Sequence, residues 1–296
     1  MAFPIKNIYI VLLTTAVAFA LLGYAYFIEP RRLVINSSEI VVTGLEPAFD
    51  GLKIVAVSDI HGGSNGIDHE KLREIVRQIN RQQPDAVVML GDYVANTSDR
   101  KSILMPVSEI ADGLSGIESK FGVFVVLGNH DGWHSDQTIA SSLSNIGYIV
   151  LQNEIAVIER GGKKLNILGL KDHLRLDSWY TFDAMVRGVS QPYANGDFIV
   201  LEHSPDVFHV LNYHKSLGDR FRLMIAGHSH GGQVWLPIVG SPLVPSSFGQ
   251  KYVSGHIKED GRHLFVTTGI GTSIMPFRFL VPPEIAVLTL RAPRKP

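Results

Sequence analysis

"LKIVAVSDIHGG", residues 52–63, decides how the rest of the chain is read. A short run rich in Val and Ile stops abruptly at Ser58-Asp59-Ile60-His61, and two glycines follow. Such a run, bounded by turn residues, has the pattern of a strand buried on both faces of a sheet. Asp59 and His61 then stand at its carboxyl end, where open α/β sheets gather their ligands.

The same construction recurs along the chain. "DAVVMLGD" ends on Gly91-Asp92, "FGVFVVLGNHD" on Asn129, His130 and Asp131, "DFIVLEHSPD" on His203, and "FRLMIAGHSH" on His228 and His230. "HLFVTTGIG" and "EIAVLTL" are further apolar runs without such ends. Between the first two strands, "IDHEKLREIVRQINRQQ" places Leu72, Ile75, Val76 and Ile79 at helical spacing, so the body opens β-α-β. Residues 148–170 read as a hairpin closing on Gly161-Gly162. The expected fold is α/β: two packed mixed sheets flanked by helices.

A histidine after a strand is ordinarily a hydrogen-bonded loop residue. Five strand ends that all deliver Asp, Asn or His point instead to one shared metal site. Asp59, Asp92 and Asn129 offer oxygen, and His61, His203, His228 and His230 offer nitrogen. Seven ligands suit two four-ligand centres if one Asp bridges. Gly91, Gly128 and Gly227 directly precede ligands, where tight turns and close backbone approach are needed.

Composition narrows the chemistry. The chain has 296 residues, 45% hydrophobic and 19% charged, an ordinary globular balance. A formal net charge of −1 gives no general attraction to nucleic acid, and no nucleic-acid partner is expected. Absence of cysteine rules out disulfides and thiolate sites, so any metal is held by nitrogen and oxygen.

Residues 8–28, "IYIVLLTTAVAFALLGYAYFI", carry no charge and are long enough to cross a bilayer, with aromatic rings gathered at the far end. An uncleaved anchor is the expectation; a signal peptide is the competing reading, but no clear cleavage site follows. Residues 1–34 are read as anchor and juxtamembrane segment, and 35–296 as one domain. Arg31 and Arg32 against Lys6 favour a cytoplasmic body at the cell (inner) membrane, with a periplasmic one left open.

The five blocks, in order, resemble the calcineurin-like metallophosphoesterase family: Asp-x-His, Gly-Asp, Gly-Asn-His-Asp, a single His, then Gly-His-x-His. "GHSHGGQVWLP" and "TTGIGTSIMPFRFLVPPEI" are similar to its membrane-linked bacterial phosphodiesterases. The resemblance implies that Asp59, His61 and His230 hold one divalent ion and Asn129, His203 and His228 a second, with Asp92 bridging. It further implies that His130 acts as imidazolium at the leaving group, oriented by Asp131, while a metal-activated hydroxide attacks phosphorus in line. Manganese is the first expectation for both ions, and iron or zinc also accepts these donors. Implied substrates are phosphodiesters, pyrophosphates or nucleotide-lipids; relatives include hydrolases of UDP-2,3-diacylglucosamine. A non-catalytic scaffold that retained the fold is the reading from another class, and the complete ligand set argues against it. Many relatives carry an acidic residue where this chain has Ala95.

Other residues have two readings each. Trp133 could stack on substrate or cap the core, and His134 could line the pocket or be solvated. Asp172-His173 could edge the cleft. Arg278 could meet a phosphate or brace the last strand.

Overall fold

The computed structural model describes residues 5–175, 178–193 and 195–293. Helix α1 (Ile5–Gly23) comes first and continues through a π-turn, Tyr24–Ile28, and a single 3₁₀ turn. Strand β1 (Val34–Val41) follows, then β2 (Leu52–Val57), α2 (His69–Arg81), β3 (Ala86–Leu90), α3 (Val107–Leu114) and β4 (Val123–Val126). Next are α4 (Asn129–His134), α5 (Asp136–Asn145), β5 (Ile149–Val150), β6 (Glu154–Arg160) and β7 (Lys163–Gly169). The remainder is α6 (Trp179–Ser190), β8 (Asp197–Leu201), α7 (Val207–His214), β9 (Phe221–Ala226), β10 (Gly255–Glu259), β11 (Arg262–Val266) and β12 (Glu284–Arg291).

The twelve strands among the described residues form two six-stranded mixed sheets, ordered β1-β12-β2-β3-β4-β5 and β10-β11-β9-β8-β7-β6. Their central strands β2-β3-β4 and β7-β8-β9 are parallel. Alternation along each strand separates two apolar faces. Ile54, Val88 and Val126 of the first sheet meet Ile167, Leu201 and Ile225 of the second in the shared core. Val55, Val87 and Val125 point the other way, under Leu72 and Ile75 of α2, Ile110 of α3 and Ile139 of α5. Phe198, Val200 and Met224 lie under α6 and α7. Burial on both faces is why these strands read as unbroken apolar runs.

Helix α2 shows the local logic. Asp68 at its N-cap accepts from Lys71 N at 2.8 Å, and Leu72, Ile75, Val76 and Ile79 are all buried as the spacing predicts. The segment 148–170 departs from expectation. The hairpin is β6-β7, turning at Gly161-Gly162, but Ile149-Val150 pairs with β4 in the other sheet. Only three residues, Leu151 to Asn153, lie between, so the chain changes sheets there, which an apolar pattern cannot reveal.

The helical stretch Lys6–Arg31 is long and apolar enough to cross a membrane, and almost none of it is covered by the domain. Its far end is. The Arg278 N–H donates to Ala25 O at 3.0 Å, Tyr24 packs edge-on against Phe279, and Glu29 and Pro30 are buried. The packed body therefore begins about ten residues before the 34/35 boundary, with no slack linker between helix and sheet.

Candidate metal centre

Each sheet contributes its strand ends to one centre. From the first come Asp59 and His61 after β2, Asp92 after β3, and Asn129 after β4; from the second come His203 after β8 and His228 and His230 after β9. Asp59, His61, Asp92, His228 and His230 all adopt positive φ, between 46° and 66°. Non-glycine residues seldom take this conformation, and its clustering at one place is typical of functional sites. The sharp turn throws each side chain off the strand line and over the sheet edge. Close packing supports the turns: a Cβ at Gly227 would overlap Ser58 Oγ and Asp59 Oδ2.

Two buried histidines show how the donors are prepared. His61 offers Nδ1 to Val94 O at 3.1 Å, and His203 offers Nδ1 to Leu90 O at 2.7 Å. A ring that gives its Nδ1 proton to a carbonyl has its Nε2 lone pair fixed in direction. His61 Nε2 meets His230 Nε2 at 3.2 Å, and His203 Nε2 meets His228 Nδ1 at 3.1 Å. Asp92 Oδ2 lies between the pairs, 3.2 Å from His203 Nε2 and 3.6 Å from His61 Nε2. Asp59 Oδ1 is 3.2 Å from His230 Nε2, yet makes no hydrogen bond, and buried Asn129 Oδ1 also has none.

These donors fit divalent ions. Asp59, His61 and His230 converge within 4.8 Å of one another, as do Asp92, His203 and His228. Burial pushes His61 down to about 3 and His228 to about 4, so both rings are neutral at pH 7 with lone pairs free. Burial likewise raises Asp59 to about 6. For His203 burial is outweighed by the Asp92 carboxylate, and its pKa rises; that proton is one a cation would displace. Nitrogen atoms facing one another and oxygen atoms without donors are what a ligand shell looks like from its own side.

His130 stands beside this cluster. Its N–H donates to Asp92 Oδ1 at 2.8 Å, its Nδ1 is 2.6 Å from Asn96 Oδ1, and its Nε2 is 3.3 Å from Ser273 Oγ. Burial, with His203 and Arg100 nearby, holds its pKa below the ordinary imidazole value despite Asp92. Asp131 does not orient this ring. Its Oδ2 accepts from the N–H groups of Asp92 and Gly128, and its Oδ1 from those of Tyr93 and Val94, at 2.8–3.3 Å. It fastens the Asp92 loop to the Asn129 loop, and the group on His130 Nδ1 is Asn96. Asn96 follows Ala95 directly in "GDYVAN", and an amide four residues after Asp92 was the available signal.

A cleft of about 890 Å³ opens over the centre. Asp92, Asn129, His228 and His230 form one wall, and Trp133, Leu243, Val244, Ile274 and Met275 contribute an apolar one. Trp133 lines it, 4.4 Å from the His130 ring, with the Arg100 guanidinium 4.6 Å above its face. His134 does not line it; its Nδ1 is tied to Lys101 O at 2.7 Å. Arg278 does not reach it either. The side chain is fully buried, and its three nitrogens are spent on the carbonyls of Gly271, Val281 and Thr268. Its Nη2 stands 3.4 Å from His230 Nδ1, so Arg278 lies against the back of that ring. Asp172 and His173 belong to a separate buried cluster with Glu202.

Residues 52–232 match the model of the calcineurin-like phosphoesterase family. The chain belongs to that family. It is 30% identical over 275 residues to "Uncharacterized metallophosphoesterase YkuE" of Bacillus subtilis, covering 91% of this chain and 90% of that protein. "Phosphodiesterase YaeI" of Escherichia coli is 28% identical over 278 residues, with 90% and 92% covered. A Danio rerio "Transmembrane protein with metallophosphoesterase domain" is 28% identical over 287 residues, with 95% and 62% covered. The chain is a metal-dependent phosphoester hydrolase.

Proposed function

We propose that this protein is a membrane-anchored hydrolase of phosphodiester or pyrophosphate bonds in amphipathic substrates, working with two divalent ions. Asp59, His61 and His230 would hold one ion and Asn129, His203 and His228 the other, with the Asp92 carboxylate shared. Manganese is the leading candidate for both. When bound, such a pair supplies Lewis acidity and lowers the pKa of water enough to give a nucleophile near neutral pH.

The residues of the chain supply the rest. Asn96 holds the His130 ring so that Nε2 faces the cleft, where it can donate a proton to the departing oxygen. Its lowered pKa favours a neutral ring at rest, and an anionic phosphoester beside it would favour the protonated form. The apolar residues that share the cleft lining with the proposed ligands are the single observation that favours an amphipathic substrate over a wholly polar one. Helix α1 supports tethering, and the Arg31-Arg32 flank favours a cytoplasmic body at the inner membrane.

A substrate panel tests this reading. Metal-depleted full-length protein, reconstituted with manganese, is given a soluble phosphodiester, a phosphomonoester and a UDP-linked lipid. Diester or pyrophosphate cleavage that returns with metal is expected. Strong preference for the monoester overturns the bond assignment.

A further inference from the structure

Two loops beside the cleft expose isoleucine in a way no folding requirement explains. Ile238 is 105% exposed at φ 76°, and Ile274 is 96% exposed at φ 64°. A β-branched residue at positive φ is an outlier even in a turn, and turns that need this conformation take Gly or Asn instead. Here strain and solvent exposure of an apolar group coincide twice. Val239, Leu243 and Leu280 extend the apolar surface around them, each about half exposed.

Both loops are joined to the end of α1. Leu236 and Gly240 exchange backbone hydrogen bonds at 2.8 Å, so Ile238 and Val239 sit at the tip of a tight hairpin. The base of that hairpin pairs with Phe279, through Phe279 N to Gln233 O and Trp235 N to Phe279 O, both at 2.9 Å. Phe279 packs against Tyr24, and Arg278 N bonds to Ala25 O. Ile274 begins the same segment, whose Pro276 O accepts from Asn65 Nδ2 at 2.7 Å; that amide also donates to Tyr26 O. Ile274 and Leu243 line the cleft as well. The apolar rim is thus continuous with the helix exit on one side and with the cleft on the other.

We propose that the Ile238-Val239 tip and Ile274 dip into the leaflet that α1 enters, so that the cleft opens on the lipid surface and takes its phosphoester laterally from the bilayer. This rests on reading α1 as a membrane anchor. Because the helix exit is bonded to both loops, their depth follows from its own. Exposed apolar loop tips next to an anchor insert into the interfacial layer for the same reason amphipathic helices do: apolar area leaves water.

The chain has no cysteine, so single thiols can be placed at will. Full-length Phe19→Cys, Ile238→Cys, Ile274→Cys and Lys163→Cys variants carry an environment-sensitive fluorophore in phosphatidylcholine–phosphatidylglycerol vesicles, with and without a mixture of lipids spin-labelled near the headgroup and deep in the acyl chain. Phe19 lies in α1, and Lys163 starts β7, at the strand edge opposite the metal centre. Quenching at Ile238 and Ile274 comparable to that at Phe19, with none at Lys163, is the expected result. Quenching at Phe19 alone overturns the proposal and leaves the anchor standing. No quenching at Phe19 overturns the anchor itself. Blue-shifted but unquenched labels at Ile238, with disulfide cross-linking between copies of the unlabelled Ile238→Cys protein, assign the rim to self-association and overturn it too.

Discussion

Two buried groups of acids and histidines lie close together in this molecule, and they are built on opposite principles. At Asp59, His61, Asp92, His203, His228 and His230, imidazole nitrogens face one another at 3.1 and 3.2 Å, with the Asp92 carboxylate between the two pairs. At Asp172, His173 and Glu202, one imidazole stands between two acids, 3.4 Å from Asp172 and 3.7 Å from Glu202, with Trp179 stacked against it. Both sets lie close enough to surround a cation. In the second, the acids outweigh burial and raise His173 to about 10, so the cluster carries its own positive charge. In the first, burial keeps His61 and His228 neutral, so their lone pairs stay open. Identical residue types therefore read as a ligand shell or as an ion cluster according to where lone pairs point.

Breaking the first cluster has the largest expected effect. Asp92→Ala removes the group shared by both halves, and Lewis-acid assistance is worth several kcal/mol, so turnover falls about 10³-fold or more. Elemental analysis of the purified variant should show metal lost along with activity. His130→Gln should lower kcat by about 10²–10⁴-fold while metal content stays at the wild-type value. Loss of metal in that variant would make His130 a ligand rather than an acid.

The second cluster responds differently. His173→Gln leaves two buried acids without their cation, at a cost of about 3 kcal/mol in unfolding free energy, with metal content unchanged. The pH dependence follows from the raised pKa of His173. Its stabilising contribution is complete below its unfolded value near 6.5 and disappears as pH climbs through about 10. Denaturant unfolding of wild type and variant at pH 7 and pH 10.5 should converge at the higher pH.

Asn96 gives the smallest and most discriminating effect. Asn96→Ala should cost roughly tenfold, mostly in kcat, because Asn96 acts by positioning the His130 ring. Asn96→Asp places a carboxylate on His130 Nδ1, which raises the ring's pKa and moves the limb of the pH–rate profile that reports His130 protonation to higher pH. An unmoved profile would show that the Asn96 contact is only structural.

These comparisons also mark how far sequence carried. The strands were legible because burial on both faces leaves an apolar run, and all seven proposed ligands were legible because each ends such a run. The roles of Asp131 and Asn96 were not. Asp131 is three residues from Gly128 but accepts also from Asp92, Tyr93 and Val94, contacts that exist only once β3 and β4 lie side by side. Arg278 was similarly ambiguous, since bracing and phosphate binding need the same guanidinium and differ only in which carbonyls surround it. Ile238 and Ile274 gave no signal, because exposed isoleucines look like core residues until their surroundings are known.

The most direct test is anomalous diffraction from crystals of the full-length protein grown with manganese. Two peaks about 3.5–4 Å apart, flanking the Asp92 carboxylate, with none among Asp172, His173 and Glu202, are the result expected. A single peak, or density at the second cluster in place of the first, would contradict the assignment of the facing histidines as a shell for two ions.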